Sequence, residues 1–150
     1  MCPLEYIDPT PENLAKLQRI PELVPPTDAV FNYLLEEAVT GRLPVYFAAI
    51  PLEMVWPFAP DFDMEAHPIG KQMVDATYAA GCQGHIQKMW VYPRDDHFVA
   101  PDDYATLAAA RRGEPDFVGC WVLGNPHLPG VQDIQGPIRP EDIREMLGIA

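Results

Sequence analysis

The chain has 150 residues, of which 48% are hydrophobic, and this is enough for one domain with an apolar core. Its 22 acidic residues outnumber its 10 basic residues, so the formal net charge is -12. Such a charge repels the phosphate backbone of DNA and RNA, which excludes nucleic acid as an expected partner. No segment is long and apolar enough to span a membrane, and no signal peptide is visible, so we expect a cytoplasmic protein.

The sequence pattern of residues 1 to 42 predicts a helical extension ahead of the α/β core. Its first helix begins with Thr10-Pro11, an N-cap followed by a proline, and apolar residues then recur at helical spacing to residue 20. A proline-rich spacer follows. Thr27-Asp28 caps a second amphipathic helix, which ends at Gly41.

Residues 43 to 124 predict an α/β core, and residues 125 to 150 add a loop and a short terminal helix from Pro140. The first half of the core is predicted as a buried strand at 45–50, an aromatic loop at 51–63 and a helix from His67-Pro68 to Gly81. A hairpin follows, with a strand at 86–92, a turn at 94–96 and a short strand at 97–99. The core ends with a helix from Pro101 to Gly113 and a central strand at 117–123. The expected fold class is therefore α/β (α+β), a single domain with a small mixed sheet and surrounding helices.

The aromatic loop carries Trp56, Phe58 and Phe62 among three prolines. Two interpretations fit these residues. They line a groove, or they pack the loop onto the core, which is the commoner role of aromatic side chains in loops.

Several common kinds of active site are not predicted. The chain contains no serine, which excludes a Ser-His-Asp triad. Its three cysteines form no Cys-x-x-Cys pair, and its four histidines lack the spacing of a zinc protease. No glycine-rich phosphate loop or dinucleotide motif occurs. We therefore expect no cofactor.

The most polar stretch of the sequence surrounds the predicted hairpin and the start of the next helix. Its acidic residues and histidine are Asp95, Asp96, His97, Asp102 and Asp103. A structural role fits because aspartates favour turns and complement the positive end of a helix. A functional role fits as well: His97, Asp102, Asp103 and Tyr104 would be catalytic acid/base groups, or Asp95, Asp96, Asp102 and Asp103 would hold a divalent metal ion. The short strand between the two groups of carboxylates would separate them by about 13 Å, too far for one shared ion.

The stretch from Met73 to Gly124 resembles the ParB/sulfiredoxin-like domain. The resemblance lies in the order of elements: a helix ending at a glycine, a strand, a short hairpin strand, an alanine-rich helix and the apolar strand Val118-Gly119-Cys120-Trp121-Val122-Leu123. It implies the family's fold. It also implies a cleft at the turn before the alanine-rich helix, where family members hold nucleotide phosphate through a glycine and an arginine.

This turn departs from the family pattern. Asp103 takes the place of the glycine, and Tyr104-Ala105 replaces the family's His-Arg. Two carboxylates at a helix N-terminus repel a phosphate, so we expect the family's nucleotide chemistry to be lost. Two hypotheses follow. The chain is a binding protein that holds a basic protein partner or a small molecule in the former cleft, or it is a small enzyme that uses the Asp/His cluster there.

Overall fold

The computed structural model describes residues 24–84 and 88–149, and within those ranges the chain forms four α-helices and six strands. The helices are α1 (Ala29–Val39), α2 (Pro68–Cys82), α3 (Tyr104–Gly113) and α4 (Pro140–Met146). The strands are β1 (Val45–Pro51), β2 (Val55–Pro57), β3 (Met89–Arg94), β4 (His97–Ala100), β5 (Phe117–Leu123) and β6 (Gln132–Gln135). The helix expected at residues 10–20 and the beginning of the strand expected at 86–92 lie outside the described residues. None of the described helices has the length and apolar character needed to cross a membrane.

The strands form one mixed sheet in the order β2-β4-β3-β5-β1-β6. β5 pairs in parallel with β3 and antiparallel with β1, so it lies inside the sheet, as its continuous apolar sequence predicted. β3 and β4 form the expected antiparallel hairpin. The predicted fold class, a small mixed sheet with surrounding helices, is confirmed.

Apolar side chains pack on both faces of the sheet. Successive residues of a strand point to opposite faces, and Val91 and Tyr92 accordingly belong to different core clusters. The first cluster joins the sheet to Leu107 of α3. The second joins the sheet to Ala38 of α1 and Ile143 of α4, so the described part of the predicted N-terminal extension packs directly on the core.

Asp28 connects α1 to the sheet. One carboxylate oxygen accepts hydrogen bonds from the backbone amides of Val30 and Phe31 at 3.0 and 3.2 Å, which caps the helix as predicted. The other oxygen accepts a 2.7 Å hydrogen bond from the hydroxyl of Tyr92 on β3. Asp28 is only 5% exposed. Burial, with the Asp28 hydrogen bond, raises the pKa of the Tyr92 hydroxyl well above its usual value.

The structure corrects the sequence predictions at four places. The helix expected from Pro101 begins only at Tyr104, because the residue before it, Asp103, has a left-handed backbone. The loop expected at 51–63 contains β2, and the loop after residue 124 contains β6. Both are short strands at the edges of the sheet: β2 pairs with β4, and β6 pairs with β1. Neither carries the alternating apolar pattern by which a strand is recognised in the sequence. Helix α2 continues beyond Gly81 to Cys82, because the glycine with positive φ is Gly84, three residues later.

Candidate functional site

The hairpin keeps His97 and Asp103 apart. A carboxylate oxygen of Asp103 accepts a 3.3 Å hydrogen bond from the backbone amide of Trp90, near the start of β3. His97 pairs with Arg94 at the other end of the same strand. Trp90 and Arg94 are four positions apart along β3, which corresponds to about 13 Å. The expected acid/base residues are therefore divided between the two ends of β3: His97 lies at one end, and Asp102, Asp103 and Tyr104 lie at the other.

Asp103 is half-buried at the start of α3 and has a left-handed backbone with φ of 60°. Burial raises the pKa of its carboxyl to about 6, the charge of Asp102 adds to this rise, and the Trp90 amide opposes it. Cys120 lies close enough for the Asp103 charge to act on its thiol. Burial is the larger effect there, and it raises the pKa of Cys120 to about 12, as expected for an inert core thiol.

Tyr104 fastens the aromatic loop to the core. Its side chain is buried, and its hydroxyl accepts a 3.0 Å hydrogen bond from the backbone amide of Ala59. The ring of Phe62 packs against the Tyr104 ring at a centroid distance of 4.8 Å. Burial raises the pKa of the Tyr104 hydroxyl.

The carboxylates proposed as metal ligands do not converge. Asp95 and Asp96 are exposed at the hairpin turn, where an Asp96 oxygen lies 3.2 Å from Nδ1 of His97. Asp102 and Asp103 belong to the turn before α3. Within residues 24–84 and 88–149, no three histidine, cysteine, aspartate or glutamate side chains form a group able to hold a metal ion.

A groove of about 690 Å³ lies beside β2, at the end of the β1–β5 pair. One wall runs from the end of β1 into β2 and consists of Pro51, Leu52, Glu53, Val55 and Trp56. The other wall runs from the C-terminal end of α3 into β5 and consists of Arg111, Glu114, Pro115, Asp116 and Phe117. The backbone amide of Leu52 donates a 3.2 Å hydrogen bond to the carbonyl of Asp116 and holds the two walls together. Gly130 and Gln132 complete the lining.

Trp56 is the main aromatic surface of this groove. Its side chain is 48% exposed, yet its position is fixed from two sides. The indole N–H donates a 2.9 Å hydrogen bond to the carbonyl of Glu53. The imidazole of His97 stacks on the indole with ring centroids 3.8 Å apart. The structure thus places His97 as a support for Trp56.

The groove carries an excess of negative charge. Glu53, Glu114 and Asp116 are exposed carboxylates in its lining, and the lining also contains the guanidinium of Arg111. The neighbouring Arg112 points elsewhere and forms ion pairs with Asp75 at 2.6 Å and Glu65 at 3.3 Å. The carbonyl end of α3 adds a partial negative charge at the same wall.

The sequence contained a signal for only part of this site. Both interpretations of the aromatic loop apply, because Trp56 lines the groove while Phe58 packs against the second core cluster and Phe62 against Tyr104. Nothing in the sequence indicated that Glu114 and Asp116 belong to the groove, since only strand pairing brings them close to Trp56. Searches against family models, curated proteins and solved structures find no match for the chain.

Proposed function

We propose that the protein is a binding module that holds a basic segment of a partner protein in the acidic groove beside Trp56. The observation that carries the proposal is the combination of an exposed but fixed indole with three nearby carboxylates. Tryptophan is enriched among the residues that dominate binding energy at protein interfaces. Because the Trp56 ring is already held by Glu53 and His97, a partner loses little free energy in ordering it.

The charge of the groove favours arginine and lysine side chains. A guanidinium stacks on the face of an indole and pairs with carboxylates in its own plane, so arginine suits this lining better than lysine. The net charge of -12 would also speed the approach of a basic partner. Arg111 would favour an acidic residue of the partner at the end of the groove where it lies.

We also propose that the chain is a divergent ParB/sulfiredoxin-like domain without nucleotide chemistry. The order α2, β3, β4, α3, β5 supports this relationship. Asp103 has the left-handed conformation that glycine adopts most easily, and it stands where the family has a glycine. Its half-buried carboxylate opposes phosphate binding. A cytoplasmic location fits the free thiols of Cys82 and Cys120.

The binding proposal is tested with a fluorescein-labelled peptide of alternating arginine and glycine, and with the same peptide carrying glutamine in place of arginine. Fluorescence anisotropy gives the affinities at low and high salt. We expect the arginine peptide to bind and its affinity to fall with salt, because the attraction is partly screened. The glutamine peptide should not bind measurably.

A pair of charge variants separates the groove from the general acidity of the protein. Glu114→Gln with Asp116→Asn removes two groove carboxylates, and Glu36→Gln with Glu145→Gln removes two exposed carboxylates of α1 and α4. We expect about a fivefold loss of affinity in the first pair and less than about twofold in the second. An equal loss in both pairs would show that the peptide follows net charge alone and would overturn the proposal.

The alternative, a small enzyme that uses the Asp/His cluster, retains one favourable observation. A carboxyl whose pKa is raised to about 6 is suited to general acid/base catalysis near neutral pH. A thermal-shift series with Mg²⁺, Mn²⁺, Ca²⁺ and Zn²⁺ tests its metal-dependent form. Stabilisation by an ion that disappears in Asp103→Asn would support the enzyme, because a ligand bound to the folded state raises its stability.

A further inference from the structure

A second cavity, of about 400 Å³, lies between α2 and α3 over the strands β3 and β5. Its lining is mainly apolar and includes Tyr78, Met89, Ala109 and Val118, with the hydroxyl-bearing Thr77 near the C-terminal half of α2. The volume falls within the range of about 300 to 1,000 Å³ that is typical of sites for small organic groups.

This cavity and the acidic groove share a wall. Pro115 and Phe117 line both of them. Phe117 is 38% exposed at the first position of β5, so part of its ring is available to a bound chain. A segment that lies along the groove can therefore reach the α2–α3 cavity by passing Phe117, without leaving the protein surface.

We propose that the α2–α3 cavity accepts one bulky apolar side chain of the same partner segment whose basic residues lie in the acidic groove. This inference rests on the proposed function and specifies the partner: an aromatic or long aliphatic anchor residue close to arginine or lysine in sequence. The groove supplies attraction and orientation through charge. The cavity supplies affinity through burial of apolar surface, which is the main favourable contribution in most protein association.

Gly81 offers a way to fill the cavity without damaging the fold. It lines the cavity and lies four residues after Thr77, so the two positions share one face of α2. A Cβ atom at Gly81 meets no heavy atom within 4 Å. The side chain of Gly81→Phe is therefore expected to occupy the cavity. Gln72→Phe, at an exposed position of α2 outside the cavity, is the matched control.

The probes are the arginine-glycine peptide and a series in which one glycine at a time is replaced by phenylalanine. For the wild-type protein we expect at least one anchored peptide to bind about tenfold more tightly than the parent, as burial of a phenylalanine side chain allows. Gly81→Phe should reduce the affinity of that peptide to that of the parent while leaving the parent's affinity unchanged. Gln72→Phe should leave both affinities unchanged.

The outcomes distinguish this inference from the function on which it rests. If no anchored peptide exceeds the parent, or if its gain survives in Gly81→Phe, the cavity does not hold the anchor and the inference is wrong, although binding in the groove stands. If the parent peptide itself fails to bind the wild-type protein, the proposed function fails. Unchanged binding of the parent by Gly81→Phe also shows that this variant is folded.

Discussion

The imidazole of His97 lies face to face with the indole of Trp56, with ring centroids 3.8 Å apart and planes 19° from parallel. This contact joins the hairpin strand β4 to the edge strand β2 next to it. Together with the hydrogen bond from the indole N–H to the Glu53 carbonyl, it sets the orientation of an exposed aromatic ring before any partner binds. The affinity of the groove should therefore depend on His97, which does not itself line the groove.

We predict that His97→Ala lowers the affinity for the arginine-glycine peptide by about threefold to tenfold, because Trp56 loses its stacking partner and must be ordered on binding. His97→Phe should restore most of the affinity, since a phenyl ring can stack in the same place. Tyr33→Ala, at an exposed aromatic residue of α1, serves as the control. The explanation fails if His97→Ala binds the peptide as tightly as the wild type in anisotropy titrations.

Tyr92→Phe should lower the free energy of unfolding by about 1 to 3 kcal/mol, because it leaves the buried Asp28 carboxylate without one hydrogen-bond donor. Urea denaturation measures this change. Tyr33→Phe removes the hydroxyl of an exposed tyrosine and should alter the same free energy by less than about 0.5 kcal/mol. Equal effects of the two substitutions would mean that the Asp28–Tyr92 hydrogen bond does not stabilise the fold.

The pKa of Asp103 predicts a pH-dependent effect of Asp103→Asn. Folding raises this pKa from 3.8 to about 6, so the folded state binds the proton more tightly than the unfolded state. The resulting stabilisation is complete below about pH 4 and is lost as the pH rises through about 6. Asparagine keeps an acceptor for the Trp90 amide and tolerates positive φ, but it carries no charge.

Asp103→Asn should therefore match the wild type near pH 4 and exceed its free energy of unfolding by about 1 to 2 kcal/mol near pH 8. Two pKa units correspond to about 2.7 kcal/mol, and partial exposure of the carboxylate to water reduces this. The measurement is urea denaturation of both proteins over this pH range. A constant difference between the two curves would contradict the assignment of a raised pKa to Asp103.

Two glycine-to-alanine substitutions should change stability in opposite directions. A Cβ at Gly119 would lie 3.0 Å from the ring of Phe47, and the Trp121 ring packed against Phe47 at 4.9 Å opposes its movement. Gly119→Ala should therefore lower the free energy of unfolding by about 1 to 3 kcal/mol. The Cβ atom of Gly81→Ala would have no heavy atom within 4 Å, and alanine has a higher helix propensity than glycine. Gly81→Ala should therefore raise the free energy of unfolding by up to about 1 kcal/mol. Urea denaturation of the two variants and the wild type under one set of conditions is the test. A free energy of unfolding for Gly119→Ala that equals or exceeds that of the wild type would contradict the close Phe47 contact.

Most of the fold could be predicted from local sequence signals. Asp28 caps α1, residues 117 to 123 form the interior strand β5, and the turn at Asp95-Asp96 separates β3 from β4. In each case neighbouring residues determine the structure. β2 and β6 escaped prediction because a three- or four-residue edge strand depends on a partner distant in sequence, β4 for the first and β1 for the second.

The same reason limits what the sequence revealed of the site. Trp56 was a candidate for a groove as one of three aromatic residues in the loop at 51–63, although packing onto the core is the commoner role of such residues. Glu114 and Asp116 looked like ordinary surface residues after a helix. Pairing of Pro51 with Phe117 brings them to the Trp56 wall, and this register depends on the whole β1–β5 pair.

The central claim, that the groove beside Trp56 binds basic segments, is tested most directly by NMR of the indole N–H groups. The chain has three tryptophans, and Trp56→Phe identifies the Trp56 resonance among the three signals. On addition of the arginine-glycine peptide, we predict a saturable shift of the Trp56 resonance, while Trp90 and Trp121, which neighbour each other on β3 and β5, remain unchanged. A shift confined to Trp90 and Trp121, or none at any of the three, would contradict the claim.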